Sequence, residues 1–352
     1  MECVHVPARS KSYYVHIGRG LLDCVGSLAP RTRGKAMLVC DSNIAPLYAK
    51  RAETSLTAAG FEPYTHVFPA GEQSKCASVL FEVLGDMARN RLTRSDTVFA
   101  LGGGVTGDLA GLAASLYMRG IGLVQVPTSL LASVDSSVGG KTAVDLPEGK
   151  NLVGTFCQPD MVICDTETFS TLPPEQIANG FGEIIKTGMI RDAGLFEAAA
   201  APQIDTAHLE SLVHRCVRIK RDVVCADERE GGLRRILNFG HTFGHAVEKC
   251  AGFTLPHGFC VAIGMAMITR ACVKRGICPR GTLDALTAAL HARGLPTTTR
   301  FCTQELFDAM MADKKRASDS LALVLPLGIG KVECRKVPLD EARAFLADGT
   351  EE

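Results

Sequence analysis

The sequence has no net charge, no long apolar run and no closely spaced cysteine pair, and each absence closes off a class of protein. Lysine plus arginine and aspartate plus glutamate are equal at 38 each, and no block of like charge interrupts the chain. A nucleic-acid binder or a protein held to an anionic membrane would carry a basic face, so neither partner is expected. The longest apolar stretch, residues 259–269, is too short to span a bilayer. The opening residues Met1-Glu-Cys-Val-His-Val lack the basic start and apolar core of an export signal, which makes a cytoplasmic location the expectation. The 14 cysteines include no Cys-x-x-Cys pair and fall in apolar runs such as Leu38-Val-Cys40 and Met161-Val-Ile-Cys164. They read as buried thiols in a reducing compartment, not as a disulfide framework or a zinc scaffold. Internal repeats and low-complexity segments are also missing.

What is present is a chain of 352 residues, about twice a typical domain, and two domains are expected. In the first half short apolar runs alternate with amphipathic segments. Residues 36–40 and 61–68 read as strands around a helix at 46–59, and a further helix runs from Glu72 to about Arg91. Residues 97–101 form a buried strand, followed by a glycine stretch and a helix over 109–117; residues 122–126 give the next strand. This alternation predicts a Rossmann-like α/β domain with a parallel sheet covered on both faces. From Pro173 the period lengthens to that of helices, with one hairpin at 321–325 and 331–334. The expected division is 1–172 for the α/β nucleotide-binding domain and 173–352 for a mainly helical domain carrying metal and substrate groups.

The glycine stretch Gly102-Gly-Gly104-Val-Thr-Gly107-Asp108 lies between a strand and a helix. Backbone N–H groups at such a helix start can hold a pyrophosphate, and glycines allow the close approach. The alternative is a tight structural turn. No acidic residue ends a strand about twenty residues later, as the usual dinucleotide fingerprint requires; Asp41, ending an earlier strand, is the replacement candidate. Val138-Gly-Gly-Lys141-Thr142 invites comparison with a P-loop, but Asp135 stands where that motif needs glycine. The segment 128–142, followed by Lys150 and Asn151, then reads either as the packed wall of a site presenting lysines to an anion or as a loop with ordinary surface lysines.

In the second half, Asn238-Phe-Gly-His241-Thr-Phe-Gly-His245-Ala-Val-Glu248 puts two imidazoles on one helical face. One can hold a metal while the other moves a proton or binds substrate, or both are ordinary hydrogen-bonded histidines. Glu183 and Lys186 are three apart with apolar neighbours, either a surface ion pair or a buried functional one. Pro256-His257-Gly258 adds a third imidazole. Glu183, His241 and His257 together make one carboxylate and two imidazoles, a three-ligand set that leaves a position open for substrate, as in catalytic zinc sites. Lys220 and Arg234 add positive charge before Asn238.

Six separated motifs, in order, carry a resemblance. Gly102-Gly-Gly-Val-Thr-Gly-Asp-Leu-Ala-Gly111, Tyr117-Met-Arg-Gly120, Val134-Asp-Ser-Ser-Val-Gly-Gly-Lys-Thr142, Gly149-Lys-Asn151, Asp227-Glu-Arg-Glu230 and Asn238-Phe-Gly-His-Thr-Phe-Gly-His245 together resemble the 3-dehydroquinate synthase family of the shikimate pathway. The similarity runs from about Asp41 to Gly330. The related glycerol and iron-dependent alcohol dehydrogenases share the two-domain plan but lack the Asp-Ser-Ser-Val-Gly-Gly-Lys-Thr and Asn-x-Gly-His-Thr-x-Gly-His signatures.

The resemblance implies zinc, or cobalt, on Glu183, His241 and His257. It implies NAD contacts from Asp41, Asn43, Glu72 and Lys75; from Gly104, Val105, Thr106, Gly107 and Asp108; from Thr128, Ser129, Asp135, Lys141 and Lys150; and from Thr168, Phe169, Ser170 and Thr171. The phosphorylated heptulosonate would be held by Arg119, Lys141, Asn151, Lys186, Lys220, Arg234, Asn238 and His245, with Arg119 reaching a neighbouring subunit of a homodimer. The implied reaction begins with hydride removal by NAD from C5 of 3-deoxy-D-arabino-heptulosonate 7-phosphate, helped by the metal. Loss of the C6 proton and elimination of phosphate follow; hydride then returns to C5, the ring opens, and an intramolecular aldol step gives 3-dehydroquinate. Asp135 would orient the nicotinamide or a water, and His245 would hold phosphate or relay a proton.

Three departures stand out. The family commonly has an acid after His257-Gly258, where this chain has Phe259; Asn179-Gly-Phe-Gly182 replaces a Leu-Ala-like pair before Glu183; and either Lys314 or Lys315 stands at a substrate-lysine position. The rivals are another sugar phosphate cyclase, against which Lys220, Arg234 and Asn238 argue because they have an acid to bind, and an NAD-dependent polyol dehydrogenase. A non-enzymatic binding module would have no use for this combination of groups.

Overall fold

The computed structural model describes residues 1–30, 34–312 and 319–350. By internal packing it divides into two units, Met1–Leu172 with Leu209–Arg229, and Pro173–His208 with Glu230–Glu352.

The first unit is built on a seven-stranded sheet ordered β1-β2-β9-β6-β5-β3-β4, from β1 (Glu2–Pro7), β2 (Ser12–Gly18), β3 (Gly34–Asp41), β4 (Phe61–Phe68), β5 (Thr97–Gly102), β6 (Gly122–Pro127) and β9 (Met161–Asp165). All neighbours pair in parallel except β1 with β2 at the edge. The central strands are apolar throughout because both faces are covered. Successive side chains alternate between two cores. Leu38, Cys40, Phe99, Leu101, Val124 and Val126 pack with α1 (Val25–Leu28) and α2 (Lys50–Ala58) on one face. Met37, Val39, Val98, Ala100 and Leu123 pack with α3 (Ala77–Arg89) and α4 (Gly104–Leu116) on the other. Since β3 continues to β4 on one side and β5 to β6 on the other, the carboxyl ends of β3 and β5 form the switch point at which such sheets bind ligands. Asp41 and Gly102 end those two strands.

Sequence and structure differ here in three places. The helix expected over 109–117 starts at Gly104, so Gly104 and Gly107 belong to its first two turns. The expected loop 128–142 instead winds into a short helical turn, Ala132–Ser136, and then enters an antiparallel hairpin of β7 (Lys141–Leu146) and β8 (Gly149–Phe156), which places Lys141, Lys150 and Asn151 on strands. Finally, Leu209–Arg229, expected in the second domain, packs with the first unit. It is most of helix α7 (Thr206–Ala226), bound along its length: Glu210 accepts from the Thr166 hydroxyl at 3.2 Å, His214 pairs with Glu2 at 2.8 Å, and Lys220 pairs with Asp135 at 2.8 Å.

The second unit gathers α5 (Pro174–Arg191), α6 (Ala193–Ala200), α8 (His241–Cys250), α9 (His257–Lys274), α10 (Arg280–His291), α11 (Thr303–Ala312) and α12 (Leu339–Thr350) with the hairpin β10 (Ser320–Gly328) and β11 (Lys331–Pro338). The hairpin falls where the alternating pattern predicts it. Helix α9 is apolar on nearly every side and is accordingly buried along most of its length. No helix among the described residues is long and apolar enough to cross a membrane.

Candidate active site

Two helix junctions bring the histidines and Glu183 together, and both depend on missing side chains. A Cβ on Gly258 would lie 2.0 Å from the Asn179 carbonyl oxygen, and one on Gly182 would lie 2.5 Å from the Gly258 carbonyl oxygen, so α5 and α9 touch backbone to backbone. A Cβ on Gly264 would meet the Gly240 carbonyl oxygen at 2.0 Å, which closes α8 on α9. The Asn179-Gly-Phe-Gly182 departure thus has a physical use. The Gly258 N–H donates to Asn179 Oδ1 at 2.6 Å, so a side chain of α5 caps the first turn of α9 and fixes where His257 begins it.

Glu183, His241 and His257 then offer ligand atoms that all lie within 4.8 Å of one another. Glu183 Oε1 is 3.6 Å from His241 Nε2 and 3.5 Å from His257 Nε2. Two ligands at ~2.0–2.1 Å from one tetrahedral ion stand about 3.4 Å apart, so the arrangement fits a single small divalent cation. Lys186, buried like Glu183, pairs with the other oxygen of the same carboxylate. His241 Nδ1 faces the Phe239 carbonyl at 3.2 Å; a carbonyl only accepts, so Nδ1 carries the proton and Nε2 is bare. Burial, reinforced by the Lys186 ammonium, holds His241 well below its ordinary pKa, as a metal ligand requires. His257 moves the other way: burial opposes its charge, but the carboxylates of Glu183 and Glu248 outweigh it and raise the group to about 9 without a cation.

Of the remaining second-unit groups, His245 stands next to this point. The His245 ring lies 5.3 Å from that of His241 and 5.8 Å from that of His257, on the exposed side. Arg234 is buried, and the Asn238 amide donates to Glu230. Lys314 and Lys315 lie outside the described residues. Two supporting groups were not singled out from sequence, Asn179 and Glu248. Phe259 offers no carboxylate beside His257, and Glu248 of α8 brings its Oε2 to 3.8 Å from His257 Nδ1. Its spacing of seven from His241 already places it on the same helical face.

In the first unit, the N-cap of α4 is Gly103, which has no side chain to cap it, so the leading N–H groups at Gly104, Val105 and Thr106 have no side-chain acceptor among the described residues. A Cβ on Gly103 would approach the Ser129 hydroxyl to 3.5 Å and one on Gly104 the Ser136 hydroxyl to 3.3 Å, so the glycines keep a narrow, hydroxyl-lined cleft open. Thr128 is buried beside it, its hydroxyl without a hydrogen-bond partner among the described residues. This cradle fits a pyrophosphate. Asp41 Oδ1 accepts from the N–H groups of Asn43 at 2.8 Å and Ile44 at 3.1 Å. Lys75 pairs with Asp108 at 2.6 Å and donates to Asn151 Oδ1 at 2.6 Å, and Lys150 pairs with Glu72 at 2.9 Å. Burial works against the Lys75 charge, but Asp108 and Glu72 outweigh it and raise its pKa above the ordinary lysine value. Gly107, Asp108, Glu72, Lys75, Lys150 and Asn151 are therefore one neighbourhood, with Asp135 and Lys220 a second ion pair whose charge reaches Asp108.

Lys141 is exposed at the start of β7. The hydroxyls of Thr168, Ser170 and Thr171 are used within their own turn and by Tyr48, and Phe169 is buried. Arg119 follows the far end of α4, about 20 Å from Gly104 by helix rise, with left-handed backbone at φ 67°. The chain does not bring it to the nucleotide cradle of the same unit.

An anion cradle at a parallel-sheet switch point in one unit and a carboxylate with two imidazoles around one point in the other define a metal-assisted, nucleotide-using enzyme. Family models make the definition specific: 3-dehydroquinate synthase N-terminal matches residues 65–179, and 3-dehydroquinate synthase C-terminal matches residues 180–316. The chain belongs to the 3-dehydroquinate synthase family. It is 43% identical over 342 residues to the 3-dehydroquinate synthase of Enterococcus faecalis, covering 95% of this chain and 96% of that one. It is 45% identical over 333 residues to that of Symbiobacterium thermophilum, covering 91% and 92%. Among solved structures it is similar to a 2-deoxy-scyllo-inosose synthase complexed with carbaglucose-6-phosphate, NAD+ and Co2+, with TM-score 0.89 and 26% identity over 99% of this chain and all of that one.

Proposed function

We propose that this chain is a lyase that converts 3-deoxy-D-arabino-heptulosonate 7-phosphate into 3-dehydroquinate and phosphate, with NAD and one divalent cation as cofactors. The observation that carries the reading is the three-ligand set around Glu183 Oε1, in a chain 43–45% identical to named 3-dehydroquinate synthases over more than nine-tenths of its length. Reversible hydride acceptance at C5 is the chemistry NAD supplies when bound, and polarisation of the hydroxyl there is what the cation supplies.

The chain's own groups do the rest. Glu183, His241 and His257 hold the cation, and Lys186 keeps the second Glu183 oxygen compensated. The first turn of α4, from Gly104 to Asp108, takes the pyrophosphate beside Thr128 and Ser129; Asp41, Asn43, Glu72, Lys75, Lys150 and the turn from Thr168 to Thr171 serve the rest of the dinucleotide. Asp135, held by Lys220, orients the nicotinamide end or a water. Lys220, Arg234 and Asn238 provide the charge and amide to hold the substrate carboxylate, and Lys141, Asn151 and Lys186 its phosphate and hydroxyls. His245 holds phosphate or passes a proton. Arg119 completes the site of a neighbouring copy in a homodimer, a role consistent with its exposed place beyond the far end of α4. A cytoplasmic location is supported by the 14 cysteines, none of which forms a disulfide.

The test is one assay of the purified protein with catalytic NAD, a divalent cation and the heptulosonate phosphate, following free phosphate and NADH absorbance together. Phosphate release far beyond the amount of NAD, without accumulating NADH, is expected. NADH without phosphate would indicate a dehydrogenase instead, and turnover only of a phosphorylated sugar lacking the carboxylate would indicate a different cyclase.

A further inference from the structure

A neutral imidazole has one bare nitrogen and one N–H, so a metal-ligating histidine needs its second nitrogen directed. His241 has that direction from the Phe239 carbonyl at 3.2 Å. His257 begins α9 and has no acid beside it on its own helix, since Phe259 follows Gly258. Its Nε2 stands 3.5 Å from Glu183 Oε1, while its Nδ1 faces Glu248 Oε2 at 3.8 Å. Glu248 is 4% exposed, a carboxylate brought from α8 into the interior where an isolated charge would be costly.

We propose that Glu248 is a positioning residue for the metal centre: it faces His257 Nδ1–H, which leaves Nε2 bare for the cation, and it is not itself a ligand. The inference rests on the reading of Glu183, His241 and His257 as the metal set. A carboxylate only accepts, so at His257 it selects the same tautomer that the Phe239 carbonyl selects at His241. Helix α8 then supplies one ligand directly and aims another.

A competing arrangement exists. His245, Glu248 and His257 also present ligand atoms within 4.8 Å of one another. One neutral imidazole cannot serve both sets, so they are alternatives. Geometry favours the first: Glu183 is buried and its Oε1 is nearly equidistant from two imidazole nitrogens, whereas His245 is exposed.

Co2+ decides between them, because its affinity and its visible absorption report different things. The full-length protein and its Glu248→Ala, Glu248→Gln and Glu183→Gln variants would be loaded with Co2+ and titrated with a competing chelator. Loss of a supporting carboxylate is expected to weaken Co2+ binding in Glu248→Ala by roughly tenfold to a hundredfold, while the position and intensity of the visible band stay those of wild type. Glu248→Gln keeps an acceptor oxygen and should recover most of the affinity. Wild-type affinity in Glu248→Ala, or Glu248→Gln binding as poorly as Glu248→Ala, would overturn the proposal. So would a shifted band in Glu248→Gln, because Glu248 would then be a ligand. If Glu248→Ala does not fold, the band of the near-isosteric Gln variant carries the decision. Glu183→Gln separates the two readings: full Co2+ binding with the wild-type band in that variant would remove the metal assignment itself, whereas its loss alongside an indifferent Glu248 would remove only the positioning role.

Discussion

The two units treat charge differently. In the first, three lysines near the nucleotide cradle, two of them buried and Lys150 half-buried, have a carboxylate partner already in place: Lys75 with Asp108, Lys150 with Glu72, Lys220 with Asp135. In the second, three imidazoles and two carboxylates converge, with ring centroids 5.2 to 5.8 Å apart. The first is compensated by its own ion pairs and shaped chiefly by backbone N–H groups and glycines, so a bound dinucleotide adds to an arrangement that already stands. The second is a donor set that a cation completes. Removing a residue should therefore cost chemistry and metal in the second unit, and in the first should cost either structure or binding according to whether the residue is paired.

The largest expected effect is at the donor set. His257→Ala removes one of three ligands and should lower kcat/KM by about a thousandfold or more while the far-ultraviolet circular dichroism stays native. Metal content after dialysis should drop in parallel; wild-type activity with full metal would break the contrast between the units. Next comes the framework beneath it. Gly258→Ala forces a Cβ to within 2.0 Å of a backbone oxygen, and overpacking of this kind costs ~3 kcal/mol. The melting temperature should fall by several degrees, with metal affinity falling too; an unchanged melt would mean that α5 and α9 separate without cost.

What sequence reveals of these regions follows from the range of the interactions involved. The central strands β3 to β6 are visible because burial on both faces demands apolar runs, whichever helices supply the cover. The β7–β8 hairpin is hidden, since residues 150–153 are largely exposed and show no inward face. The start of α4 is hidden for another reason: glycine is a poor helix former, so Gly104 and Gly107 read as loop although both lie in the first two turns of the helix, where a Cβ on Gly107 would meet the Gln125 side chain at 2.8 Å. Glu183, His241 and His257 emerge from chemistry alone because a ligand set is defined by residue type. Glu248 shares a helical face with His241 by spacing, yet its partner is on α9, and no local pattern announces a contact between two helices. The path of α7 back to the first unit is likewise set by distant partners such as Glu2 and Asp135.

Two smaller perturbations sharpen the comparison within the first unit. Lys141 is exposed, so Lys141→Ala should leave the unfolding free energy within about 0.5 kcal/mol of wild type. If Lys141 holds the substrate phosphate, loss of one charge-assisted hydrogen bond should raise KM and lower kcat/KM by about tenfold to a hundredfold. Unchanged kinetics would move the phosphate site elsewhere.

The smallest effect concerns Glu228, which ties the end of α7 to the β1–β2 turn. Its carboxylate accepts from the Ser10 N–H at 3.0 Å and from the Gln158 amide at 2.9 Å. Burial alone would raise its pKa, but the Ser10 and Gln158 hydrogen bonds outweigh it and set the folded value below the ordinary 4.5. A depressed folded pKa stabilises the native state above the unfolded value, and that contribution disappears as the pH falls through the folded one. Glu228→Gln should therefore melt below wild type at pH 7, and the gap should narrow as the pH is lowered past 4.5. A gap that stayed constant across that range would mean that Glu228 acts through packing, and that the charge compensation of the first unit stops at the nucleotide cradle.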